Sequence, residues 1–153
     1  MLGKSRLFCP RLHTWLLPLV GSRYRLGLTQ RGWDEIGDVI ESRTLVSLQQ
    51  AVVADQPLLE LEWEALAFPE GEAPSPRVWS NWANVVEGVA TVRTPVAATV
   101  LALNAEGEAE HGDPDLWLVE LALRDASLAD AKLLDESGYR KALAASPRGR
   151  FAE

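Results

Sequence analysis

The chain has 153 residues, 47% hydrophobic and 24% charged, the balance of a soluble globular protein long enough for one domain with its own core. Lys and Arg number 15 against 22 Asp and Glu, giving a net charge of −7 and a pI near 4.9, so the surface repels phosphate backbones and a nucleic-acid partner is not expected. The single cysteine, Cys9, excludes an internal disulfide framework, and no apolar run reaches the ~18 residues of a membrane span.

Lys4, Arg6 and Arg11 precede the apolar stretch Trp15-Leu16-Leu17-Pro18-Leu19-Val20, which loosely imitates a secretion signal. Pro18 breaks the run and no small-x-small cleavage site follows, so the expected location is cytoplasmic. Residues 1–11 are expected to form a loose N-terminal segment, and residues 12–20 a first strand. Gly21-Ser22 marks a turn, and Tyr24 to Leu28 returns as a second strand.

Thr29 suits the N-cap of a short helix, because its hydroxyl can accept a hydrogen bond from an otherwise orphaned backbone N–H. Trp33 and Ile36 then share one side of the helix, and Gly37 is the expected stop. Residues 39–53 read as short strands with a break. From Pro57 onward Leu59, Leu61 and Trp63 alternate with Glu60, Glu62 and Glu64, a period of two that buries one face and wets the other.

Residues 67–84 change in composition. Pro69, Gly71, Pro74, Ser75 and Pro76 disfavour regular structure, and Trp79 and Trp82 follow, so a long insertion at the end of a hairpin is expected. Residues 85–103 form the best strand region, with Ala90, Val92, Thr94, Val96, Ala98, Val100 and Ala102 on one parity and Pro95 suggesting a bend or an edge. Residues 116–123 give a further strand with Trp117, Val119, Leu121 and Leu123 on one face. A C-terminal helix follows, capped by Asp135 and carrying Tyr139, Ala142 and Leu143 on its apolar side. Residues 146–153 read as a frayed tail. Many short strands between turns imply a mainly β sandwich or barrel with helices at its margins.

The order of these pieces resembles the H protein of the glycine cleavage system. Gly27-Leu28-Thr29 and Ile36-Gly37-Asp38 are similar to the Gly-Ile-Thr and Leu-Gly-Asp elements of that family, and His13-Thr14-Trp15 is similar to its early His-x-Trp. Thr94-Pro95-Val96 with Val100 and Asn104 resembles the Pro-Val strand that leaves the lipoyl hairpin. Asp113-Pro114, Trp117-Leu118 and Leu133 to Tyr139 resemble the later elements, so the likeness spans residues 12–145. The resemblance implies a barrel-sandwich hybrid of two small antiparallel sheets, a lipoyl lysine on an exposed hairpin tip, and an acidic surface that docks on larger enzymes.

The departure concerns the lysine. Counted back from Pro95 the modified position falls at Glu87, and counted from the strand entering the hairpin it falls near Ala65. The chain's lysines are Lys4, Lys132 and Lys141, none of them in the hairpin. A carboxylate cannot form the amide that holds lipoate, and arginine is not a usable nucleophile at neutral pH. The expectation is therefore a non-lipoylated, non-catalytic module without a cofactor that binds a protein partner. The alternative is a lipoyl-type carrier of a glycine-cleavage-like system, modified at an unexpected lysine or holding lipoate non-covalently, and a small enzyme ranks third.

Candidate partner-binding residues are Trp79 and Trp82, whose rings either form a docking patch or fold back over a sheet edge, and the stripe Glu60, Glu62 and Glu64, for which a solvated face is the first reading. No metal site is expected, since His111, Asp113 and Asp115 form a common loop composition. The two histidines, His13 and His111, show no spacing to a nucleophile, and Cys9 reads as a lone thiol.

Overall fold

The computed structural model describes residues 5–67, 84–104, 112–123, 128 and 131–145. Among these residues nine strands are present: β1 Leu7–Cys9, β2 Thr14–Pro18, β3 Arg23–Leu28, β4 Asp38–Thr44, β5 Ala51–Val52, β6 Pro57–Ala67, β7 Asn84–Arg93, β8 Ala98–Leu103 and β9 Trp117–Leu123. Helix α1 spans Gln30–Asp34 and α2 spans Glu136–Ala145. The strands form two antiparallel sheets, one ordered β1-β2-β3-β9-β8-β5 and the other β4-β6-β7. The expected mainly β architecture of two antiparallel sheets with a C-terminal helix is therefore present, with sheets of unequal size.

The core lies between the sheets. Leu16, Leu26, Val100, Val119 and Leu121 enter it from the larger sheet and Leu58, Leu61 and Val92 from the smaller, all nearly inaccessible to solvent. Apolar burial on this scale is the main stabilising term for a domain of this size. On β6 the expected alternation holds: Leu59, Leu61 and Trp63 are buried, while Glu62 and Glu64 are exposed.

Several expectations need correction in detail. The segment expected to be loose, 1–11, contains β1, which pairs with β2 (Leu7 with Leu16, Phe8 with Trp15). Phe8 also exchanges backbone hydrogen bonds with Leu134 at 2.7 and 2.9 Å and stacks on Tyr139 with ring centroids 4.4 Å apart. Basic residues obscured this strand: Arg6 lies over the Trp15 ring and donates to Pro114 and Asp115, so its charge is used inside the fold. The first helix ends at Asp34, not at Gly37; Glu35 caps it in a right-handed conformation, its N–H reaching Arg31 O.

The bend suggested by Pro95 is present and divides the 85–103 run into β7 and β8. Thr94 Oγ1 donates to Val96 O at 2.6 Å and accepts from Val96 N at 3.2 Å, closing a buried corner around Pro95 that sends β7 into one sheet and β8 into the other. On β9 the single-face pattern fails at Leu118, which is buried along with Val119, so the strand is covered on both sides there.

The N-terminal region is locked by close packing. Trp15 Nε1 donates to Leu28 O at 3.0 Å and Pro114 O at 2.9 Å, and its ring lies where a Cβ on Gly27 would stand, 2.4 Å away. Only glycine leaves room for this tryptophan, and the register of β3 against β9 shifts at the same place. Thr29 caps α1 as expected, accepting from Gly32 N at 3.1 Å. Asp135 does the same for α2, its Oδ1 accepting from Gly138 N at 2.8 Å.

Candidate functional site

The hairpin of β6 and β7 carries both positions at which the family's lysine is expected. Ten register pairs run along it, from Pro57 opposite Arg93 to Ala67 opposite Asn84. Glu87 stands opposite Glu64, and Ala65 opposite Val86. The two alternative positions are thus neighbours across one ladder, on strand rather than at a turn. Glu87 is exposed, and neither position supplies an amine. These residues do not fit a lipoyl group.

The outer face of the smaller sheet is acidic well beyond the expected stripe. Register aligns Asp38, Glu64 and Glu87 in one row across three strands, and Glu41 with Glu62 in the next. All five are exposed. Glu60 belongs to a third row, where Arg43 donates to it, and that contact holds the Arg43 guanidinium above its ordinary pKa. Like charges directly across a ladder oppose pairing, so this face has not been optimised for the stability of the isolated sheet. Asp38 and Glu41 on β4 and Glu87 on β7 show no shared face in the sequence, because they lie on strands other than the one that carries Glu62 and Glu64. Only the pairing of β4 and β7 with β6 brings them beside Glu62 and Glu64.

Beside this face, a cleft of about 330 Å³ opens between α1 and the start of β4, lined by Trp33, Ile36 and Val39 with Asp34 and Asp38 at its rim. Asp34 accepts from Gln30 Nε2 at 2.8 Å. Nothing in the periodicity pointed to this cleft.

The other candidates are dispersed. Trp79, Trp82 and His111 lie outside the described residues. Asp113 accepts from Asp115 N within its own turn, and Asp115 pairs with Arg6 at 2.9 Å. Among the described residues no three His, Cys, Asp or Glu side chains gather as metal ligands would. Cys9 is buried. His13 adopts a left-handed conformation (φ 57°), with its Nδ1 buried and lacking a partner among the described residues. Burial pushes its pKa below the usual 6.5, with Glu35 acting against that shift and Arg31 adding to it.

No family model matches the sequence. The glycine cleavage system H protein of Nocardia farcinica is 27% identical over 137 residues, covering 84% of this chain and 86% of that one. The crystal structure of a glycine cleavage system H protein from Mycobacterium marinum superposes with a TM-score of 0.59 at 16% identity, covering 94% of this chain and 99% of that one. The chain is H-protein-like. Its two sheets and terminal helix reproduce the H-protein fold almost end to end. No described helix of this H-protein-like chain is long and apolar enough to cross a membrane.

Proposed function

We propose that this H-protein-like chain is a non-catalytic interaction module that carries no lipoate and docks on a larger protein, either as a regulator or as a scaffold. The carrying observation is the absence of lysine anywhere from residue 5 to residue 131. Wherever the tip of the β6–β7 hairpin falls, no ε-amine is there to be acylated. A swinging arm needs that amine, and a carboxylate at Glu87 offers no substitute chemistry.

Its relatives bear the name of a component of the glycine cleavage system, which supports a partner among the enzymes of such a system. Docking candidates are Glu60, Glu62 and Glu64 on the sheet face, with Trp79 and Trp82 in the insertion. Charged rows set against a complementary surface favour encounter and orientation more than raw affinity. The second reading keeps the carrier role, with the arm moved to Lys4, Lys132 or Lys141.

The test is an intact-protein mass spectrum of material isolated from its native host. The expected mass is that of the unmodified chain. A mass heavier by one lipoyl group would overturn the proposal, and peptide mapping would identify the lysine that carries it.

A further inference from the structure

Sheet edges are exposed rows of backbone donors and acceptors, and proteins usually shorten, bulge or charge them. Among the described residues, three of the four edges follow that rule. β1 has three residues and β5 two. β4 is acidic and carries a bulge between Val39 and Glu41, with Ile40 pushed out to 54% exposure. The fourth edge does not follow it. β7 runs ten residues without a bulge, and among the described residues it pairs with β6 alone. Val89 at its centre is 56% exposed, though valine favours a pleated, half-covered surface.

The outward residues of β7 are Glu87, Val89, Thr91 and Arg93, all exposed. Read against its own reverse, this series is complementary. Antiparallel pairing with a two-fold axis at Ala90 sets Glu87 opposite Arg93 of the other copy, twice, and Val89 opposite Thr91, twice. Inward, Gly88 faces Val92 and Ala90 faces Ala90, small enough to meet without collision. Sliding by two residues, the smallest shift that keeps the faces matched, removes both ion pairs. Arg93 already donates one N–H to Asp55 O at 3.0 Å, and its remaining donors stay available to a carboxylate.

We propose that the outer edge of β7 pairs with the same edge of a second copy, joining two three-stranded sheets into one six-stranded sheet across a two-fold axis. This is an isologous contact, so each feature counts twice. It rests on the strand's placement and sequence, independently of whether the chain carries lipoate. One strand pair buries less than a permanent dimer needs, so the association is weak and concentration-dependent.

The test is sedimentation velocity on the full chain from roughly 10 μM to 1 mM, the range in which contacts of this size report. Wild type is expected to shift from monomer toward dimer. Glu87→Arg alone and Arg93→Glu alone each set like charges against each other and weaken self-association at least about tenfold. An equimolar mixture of these two variants restores opposite charges at both contacts and forms the heterodimer. Far-ultraviolet circular dichroism confirms that each variant stays folded. A wild type monomeric up to the highest concentration overturns the proposal. So does a dimer indifferent to both substitutions, or a mixture that fails to associate.

Discussion

At the scale of single residues, the junction between β2 and α1 shows how a few side chains fix a local geometry. Thr29 accepts from Gly32 N, while its own N–H and hydroxyl donate to His13 O at 2.9 and 3.2 Å. Those bonds hold His13 in a left-handed conformation that histidine enters only at a cost. Its half-buried ring favours the neutral form, so the folded chain holds this proton less tightly than the unfolded chain does. Stability contributed by His13 is therefore complete above the ordinary value of 6.5 and is lost as pH falls toward the lower folded-state pKa. Urea midpoints measured between about pH 8 and pH 5 should fall in the lower part of that range. His13→Gln should flatten the decline, and an equally steep decline in that variant would remove His13 as its source. Of this junction, the cap was legible in the sequence because Thr29 is a short-range signal. The strain at His13 was not, because it arises from a carbonyl shared with a residue sixteen positions away.

Among elements, the β6–β7 hairpin shows local pattern and long-range packing acting together. The alternation of Leu59, Leu61 and Trp63 with glutamates announces a strand with one wet face. It does not announce that Trp63 folds over β7, where a Cβ on Gly88 would come within 2.4 Å of Trp63 Cζ2. Gly88→Ala should therefore cost about 1–3 kcal/mol by forcing a buried ring out of place, measurable by chemical denaturation. A loss below ~0.5 kcal/mol would mean that the ring moves freely. The corner at Thr94 and Pro95 belongs to this scale too. Parity runs unbroken from Ala90 to Ala102, and only Pro95 marks a bend or an edge within a run that could otherwise continue as one strand. The chain instead breaks because the Thr94 hydroxyl closes the turn locally and the two halves find partners in different sheets.

For the molecule as a whole, both sheets depend on one shared interior. Leu121 is fully buried on the central strand β9, which pairs with β3 on one side and β8 on the other. Leu121→Ala should cost about 2–5 kcal/mol in a urea titration, since a cavity there is lined by strands that cannot collapse independently. A cost near ~1 kcal/mol would show that the interior relaxes around the lost side chain. The outer face of the smaller sheet is a molecular property of the same kind. No single strand carries its charge, and the rows Asp38-Glu64-Glu87 and Glu41-Glu62 exist only because three strands align.

The amino-acid sequence by itself determined the class of fold, the order of its elements after β1, both helix caps and the absence of lysine from residue 5 to residue 131. Those properties rest on periodicity, on short-range hydrogen bonding and on the simple presence or absence of a functional group, all readable within a few residues. Tertiary structure decided which strands are neighbours. With that came the breadth of the acidic face, the cleft beside Trp33, the recruitment of β1 into the sheet by Arg6, Phe8 and Leu134, and the long edge of β7 that is unpaired among the described residues. Register and sheet order arise from contacts between residues tens of positions apart, and no local pattern encodes them.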